Sequence, residues 1–223
     1  MSFYPIYVDL EGKKIVLVGG GRVAQRKIET FLEYGALIFL ISRDMTPKLE
    51  HYKEEGKLVY LGAEFHDDYL ENASLVVSAT DDPELNHRVS EAAKSRGLLV
   101  NAVDQPADCS FIVPSIVKRG DLMIAVSTSG KSPAFAKQLR KELEKKFGNH
   151  YGTFLTLMGN LRSEIIKKDL PVKENSRIFQ ELVESSILEA IDRGDWGDVA
   201  SILNRILQTQ MSSEDVLNYL EAG

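Results

Sequence analysis

The chain has 223 residues, 43% hydrophobic and 27% charged, with a formal net charge of −6 at pH 7. That length fits one large domain or one domain with smaller attachments, and the acidic balance argues against nonspecific nucleic-acid binding. Cys109 is the only cysteine, which excludes an intrachain disulfide and a cysteine-rich metal site. No basic-then-apolar leader opens the sequence, and no apolar run approaches the roughly 20 residues of a membrane helix, so a cytoplasmic protein with no membrane or nucleic-acid partner is expected.

Short, nearly continuous apolar runs at 15–18, 37–41, 58–61, 75–79 and 98–103 read as strands covered on both faces. Helical spacing occupies 22–34, 46–55 and 83–95 between them. Gly35 sits where the first helix should stop, and Asp81 or Asp82 should cap the last, with Pro83 at its first position. This βαβ rhythm predicts an α/β fold, a Rossmann-type doubly wound parallel sheet, over residues 1–113. The pattern then changes. Segments 111–117 and 122–128 read as two strands around the turn Lys118-Arg119-Gly120-Asp121, and Ser132-Pro133 opens a helix to Phe147. An isolated hairpin is marginal in water, so this small α+β segment, 114–149, needs a partner: the parent sheet or a second subunit. The remainder, 150–223, reads as a helical domain with helices at 153–168, 175–192, 195–207 and 213–220. Pro171 and Gly194 break it, and Ser212 with Asp215 resembles a capping box.

The chemistry concentrates at strand ends. Gly19, Gly21 and Ala24 fit the G-x-G-x-x-G/A dinucleotide pattern directly after a strand. Gly19 permits the tight turn, Gly21 lets backbone approach a pyrophosphate, and Ala24 lets the helix pack so that its first N–H groups face the phosphates. Gly20, Arg22 and Val23 complete the candidate cofactor turn. The second strand ends in Ser42-Arg43, with Asp44 one residue late. An arginine there suits a 2′-phosphate and so favours NADP, or is simply a solvated loop charge. Thr80 and Asp81, after the fourth strand, suit hydrogen bonds to a cofactor or a helix cap. Asn101, Val103 and Asp104, around the end of the fifth, border the same crevice. There Asp104 could act as general acid or base, or form a turn with Gln105-Pro106. The loop Ser127-Thr128-Ser129-Gly130-Lys131-Ser132 runs into a helix N-terminus and suits an anion, without P-loop spacing. His51, His66, His87 and His150 show no metal-ligand spacing and Cys109 has no assignable base, so no metal ligand is assigned.

Taken in order, Val18 to Lys27, Ala79-Thr80-Asp81-Asp82, Asn86, Asn101-Ala102-Val103-Asp104, Phe111-Ile112-Val113-Pro114-Ser115 and Ser127 to Pro133 resemble the precorrin-2 dehydrogenase family, the N-terminal module of siroheme synthase. The opening Tyr4-Pro5-Ile6-Tyr7-Val8-Asp9-Leu10 resembles it too, and the specific motifs lie within residues 1–147. The resemblance implies NAD-dependent oxidation of precorrin-2 to sirohydrochlorin on the path to siroheme. It implies NAD as the cofactor, in a family that often lacks the second-strand acid, and a homodimer built through 111–147. It places the family's proposed catalytic aspartate on Asp104, and its substrate-side hydroxyl on Thr128, beside Ser129, Gly130 and Lys131. Some members also insert Fe2+ as a sirohydrochlorin ferrochelatase. No methyltransferase domain follows the helical tail, so the chain is not expected to make precorrin-2 itself. The competing readings are another NAD(P)-dependent oxidoreductase and a non-catalytic NAD(H)-sensing regulatory domain.

Overall fold

The computed structural model describes residues 3–221. The chain divides after Val113 into two compact units. The first runs β1 (Lys14–Val18), α1 (Arg22–Leu32), β2 (Leu37–Ile41), α2 (Pro47–Glu54), β3 (Leu58–Gly62), β4 (Leu75–Ser78), α3 (Pro83–Lys94) and β5 (Leu99–Ala102). All five strands are parallel, in the order β3-β2-β1-β4-β5. Their alternating residues serve two cores. Ile15 and Leu17 of β1 pack with Ile28 and Phe31 of α1 and Leu49 of α2. Val16 and Val18 pack on the other face with Val89 and Ala93 of α3. Burial on both faces is why the runs lack polar alternation; each such side chain contributes about 1.5–3 kcal/mol.

The connection from β3 to β4 holds only a short 3-10 turn over Asp67–Leu70 that buries Leu70. One expectation changes here. The strand expected from 111 begins at Ser115 instead, because Phe111 packs on the first unit's core and Ser110 N–H donates to Val100 O at 2.8 Å. The strand order reverses direction between β1 and β4, the position where open α/β sheets form a crevice beyond the carboxyl ends of their strands.

The second unit opens with the antiparallel hairpin β6 (Ser115–Arg119) and β7 (Leu122–Val126), followed by α4 (Pro133–Lys146). Then come α5 (His150–Lys167), α6 (Val172–Glu184), α7 (Ile187–Arg193), α8 (Trp196–Leu207) and α9 (Ser213–Glu221). Leu157 and Leu161 of α5, Leu182 of α6, Ile187 of α7, Val199 and Leu203 of α8 and Val216 of α9 share one core. The helix expected over 175–192 is two helices. At the break, the Ser185 hydroxyl donates to Leu182 O at 2.7 Å and accepts from Ile187 N–H, competing with the helical ladder. The capping box forms as expected: Asp215 accepts from Ser212 N–H and hydroxyl, both at 2.7 Å, and Asp215 N–H donates back to Ser212 Oγ. These contacts hold the Asp215 carboxyl below its ordinary range, led by the backbone bond. The hairpin turn meets α5 closely enough that a Cβ on Gly152 would lie 2.9 Å from Arg119 O. Among the described residues, no helix is long and apolar enough to cross a membrane.

Candidate functional site

At the β1/β4 reversal, one open crevice of about 1200 Å³ collects the ends of the strands. Its floor is backbone: Gly19 N–H donates to Ile41 O at 2.8 Å, Ala79 N–H to Val18 O at 2.8 Å and Val103 N–H to Ser78 O at 2.9 Å. The three glycines have three different reasons to lack a side chain. Gly19 holds φ +109°, and a Cβ there would lie 2.4 Å from Ala79 O. A Cβ on Gly20 would lie 2.2 Å from Asp44 O. One on Gly21 would meet nothing within 4 Å. The protein's own packing therefore excludes side chains at Gly19 and Gly20. The space beside Gly21 is open, where a bound group could approach the backbone.

Gly21 also begins α1, and no side chain caps that helix or places an acid in its first turn. In the same unit Thr46 caps α2 and Asp82 caps α3 through their side chains. An uncapped helix start presents unpaired N–H groups and the positive end of the helix dipole, a site suited to a phosphate. Ala24 is fully buried, as the close packing of α1 requires, and does not line the crevice.

Gly19, Gly20, Gly21, Arg22, Val23, Ser42, Arg43, Thr80, Asp81, Val103 and Asp104 all line the crevice. Their hydrogen bonding sorts them. The Ser42 hydroxyl already donates to Asp44 O at 2.6 Å. Thr80 is clamped by buried Asn86, whose Oδ1 accepts from Thr80 Oγ1 at 2.8 Å and whose Nδ2 donates to Thr80 O at 3.0 Å. Asp82 takes the cap of α3, accepting from the N–H of Glu84 and Leu85, which leaves exposed Asp81 facing the crevice. Asp104 is exposed and holds φ +60°, a left-handed conformation that aspartate tolerates better than most residues.

Asn101 does not line the crevice. Its Oδ1 accepts from Lys27 Nζ at 3.0 Å and its Nδ2 donates to Phe111 O at 3.1 Å, tying the end of β5 to α1. Burial, then neighbouring Arg26, lowers the Lys27 ammonium pKa. The crevice lining also includes polar and charged side chains that local sequence patterns did not single out, Thr46, Glu64, Glu84 and Arg88 among them. Arg88 lies one helical turn from Glu84 on α3, and both line the crevice. Glu64 follows β3 and sits 3.6 Å from Arg43, both well exposed; nothing in the local sequence announces that meeting.

The loop holding Thr128, Ser129, Gly130 and Lys131 belongs to the second unit and closes largely on itself. Ser127 Oγ accepts from Ser129 N–H, Thr128 Oγ1 from Ser132 N–H, and Ser132 Oγ from Phe135 N–H. Ser129 and Gly130 take left-handed φ of 52° and 79°. Lys131 is exposed at its tip.

Comparison with known proteins follows the same division. Residues 6–115 match a family described as NAD(P)-binding, and residues 119–146 match one described as the sirohaem biosynthesis protein central region. Siroheme synthase 1 of Aeromonas salmonicida is 33% identical over 224 aligned positions, covering 100% of this chain and 48% of the relative. Siroheme synthase of Photorhabdus laumondii is 39% identical over 181, covering 81% of this chain and 38% of the relative. The chain thus spans less than half the length of these curated relatives. A solved structure named SirC, precorrin-2 dehydrogenase, shares the fold with a TM-score of 0.77 at 24% identity, covering 93% of this chain and 100% of that one.

Proposed function

We propose that this chain is a member of the siroheme synthase N-terminal module family and that it oxidises precorrin-2 to sirohydrochlorin with NAD, in the cytoplasm, towards siroheme. The observation that carries the reading is the open space beside Gly21 at the uncapped start of α1. It suits a pyrophosphate, and Asp104 borders the same crevice. Glu64 supports NAD over NADP. Its carboxylate offsets the Arg43 charge at 3.6 Å, weakening that arginine as a 2′-phosphate partner, and offers an acceptor to a ribose 2′-hydroxyl.

The nicotinamide, when bound, supplies the hydride-accepting carbon. The chain supplies the rest. The turn 19–21 and the first N–H groups of α1 hold and orient the dinucleotide, and orientation supplies much of the rate. Asp104 takes the proton that leaves with the hydride, so that precorrin-2 and NAD+ give sirohydrochlorin, NADH and one proton. The substrate is a polycarboxylate, and the loop Thr128-Ser129-Gly130-Lys131 is assigned to its carboxylates, with Lys131 as the cation. The hairpin β6–β7 is assigned to a homodimer, since two strands do not make a stable sheet alone.

The test is anaerobic absorbance after mixing the chain with freshly made precorrin-2 and NAD+, NADP+ or neither, with Fe2+ or Co2+ added once the change is complete. A sirohydrochlorin spectrum formed fastest with NAD+ is expected. A metal-dependent change faster than the protein-free control adds ferrochelatase. Asp104→Ala should slow oxidation at least about 100-fold while leaving NAD binding unchanged. Full activity in that variant removes Asp104 from the mechanism. Folded protein that binds NAD yet oxidises nothing favours the sensor reading.

A further inference from the structure

We propose that His87, Glu91 and Asp108 form a binding site for one divalent first-row transition cation, separate from the crevice. The three side chains each offer one ligand atom, and those atoms lie within 4.8 Å of one another. None of the three lines the crevice. His87 and Glu91 are four residues apart on α3, which puts them on one helix face. Asp108 comes from the short turn Pro106–Asp108 after β5. Its carbonyl accepts from Ser90 Oγ at 2.6 Å, and its side chain is only 13% exposed, so this ligand is held against α3 before any ion arrives.

A cation already marks the place. Lys94 Nζ lies 3.4 Å from Glu91 Oε1, 3.8 Å from Asp108 Oδ1 and 3.4 Å from Ala107 O. Each is longer than the 2.7–2.9 Å of a good charge-assisted bond, so the ammonium holds this position loosely. His87 Nδ1 lies 2.9 Å from Asp108 Oδ1, which adds an imidazole nitrogen to the oxygens. Two carboxylates, one imidazole and a carbonyl that already faces a cation suit zinc, cobalt, nickel or ferrous iron better than magnesium or calcium. Binding requires Lys94 to swing out to solvent and the ligand atoms, which lie within 4.8 Å of one another, to draw in to metal distances of about 2.0–2.2 Å. His87 and Glu91 are exposed and free to make that adjustment.

The competition with Lys94 makes the proposal testable without reference to the reaction. The tag-free full chain is titrated with Co2+, followed by visible absorbance, and with Zn2+ by calorimetry. One ion per chain is expected. His87→Ala should weaken it about 10–100-fold, and Lys94→Met should tighten it by removing the internal rival. His51→Ala, His150→Ala and Cys109→Ser, which remove donors elsewhere in the chain, should leave the affinity unchanged, and circular dichroism confirms that each variant is folded. Failure to bind one ion below about 1 mM, or an affinity indifferent to His87→Ala, overturns the site.

Discussion

The two units use glycine and local strain in contrasting ways. In the second, the close pair is Gly120 and Gly152: a Cβ on Gly120 would lie 3.2 Å from Gly152 Cα. Each glycine there makes room for the other segment, and packing explains both. In the first, Gly19 and Gly20 make room for the protein's own backbone, while Gly21 makes room for nothing the protein contains. Open space alone does not mark a ligand, since Gly159 in α5 is equally open; at Gly21 the opening lies in the crevice, at the start of a helix. Asp104, at positive φ on the same crevice, adds strain beside that opening.

Gly19→Ala should have the largest effect. It forces a Cβ to 2.4 Å from Ala79 O at φ +109°, and urea denaturation should show a loss of about 3 kcal/mol or more. Gly152→Ala should cost about 1–3 kcal/mol in the same measurement, because Arg119 O at 2.9 Å is backbone and yields little. Its dinucleotide affinity should match that of the wild type. Gly21→Ala should do the reverse: stability within about 1 kcal/mol of wild type, and NAD binding about tenfold weaker by calorimetry. Gly21→Ala with undiminished NAD affinity would erase the contrast between the units.

The smallest effect concerns acid. Lys48, at 2.8 Å, and Gln25 hydrogen-bond the Glu29 carboxylate and hold its pKa below the ordinary glutamate range. A carboxyl lowered in the folded state contributes stability above its unfolded value and loses it as pH falls through the folded one. The small difference in melting temperature between wild type and Glu29→Gln should be present at neutral pH and vanish on acidification. A difference that persists in acid would assign the effect to packing.

Much of the first unit is legible in the chain itself. Parallel strands buried on both faces read as bare apolar runs, and the glycine turn carries its own spacing. The second unit is less legible where serines interrupt a helical pattern, as at Ser185-Ser186, because the choice between continuing and breaking a helix turns on a few hydrogen bonds. The crevice residues at strand ends were readable, since topology places those ends together. Asn101 was misplaced because sequence position gives the edge of the sheet but not the direction of the side chain.

By itself, the sequence determined the element types, the caps at Asp82, Ser132 and Ser212, and the dinucleotide turn. These depend on a residue and neighbours a few positions away. Tertiary structure alone decided that Glu64 meets Arg43, that Asn86 clamps Thr80, that Lys27 holds Asn101 and that Asp108 joins His87 and Glu91. Those pairings join side chains from different elements or across loops, and their distances follow from how the strands are ordered and how the helices pack on them, which no local pattern encodes.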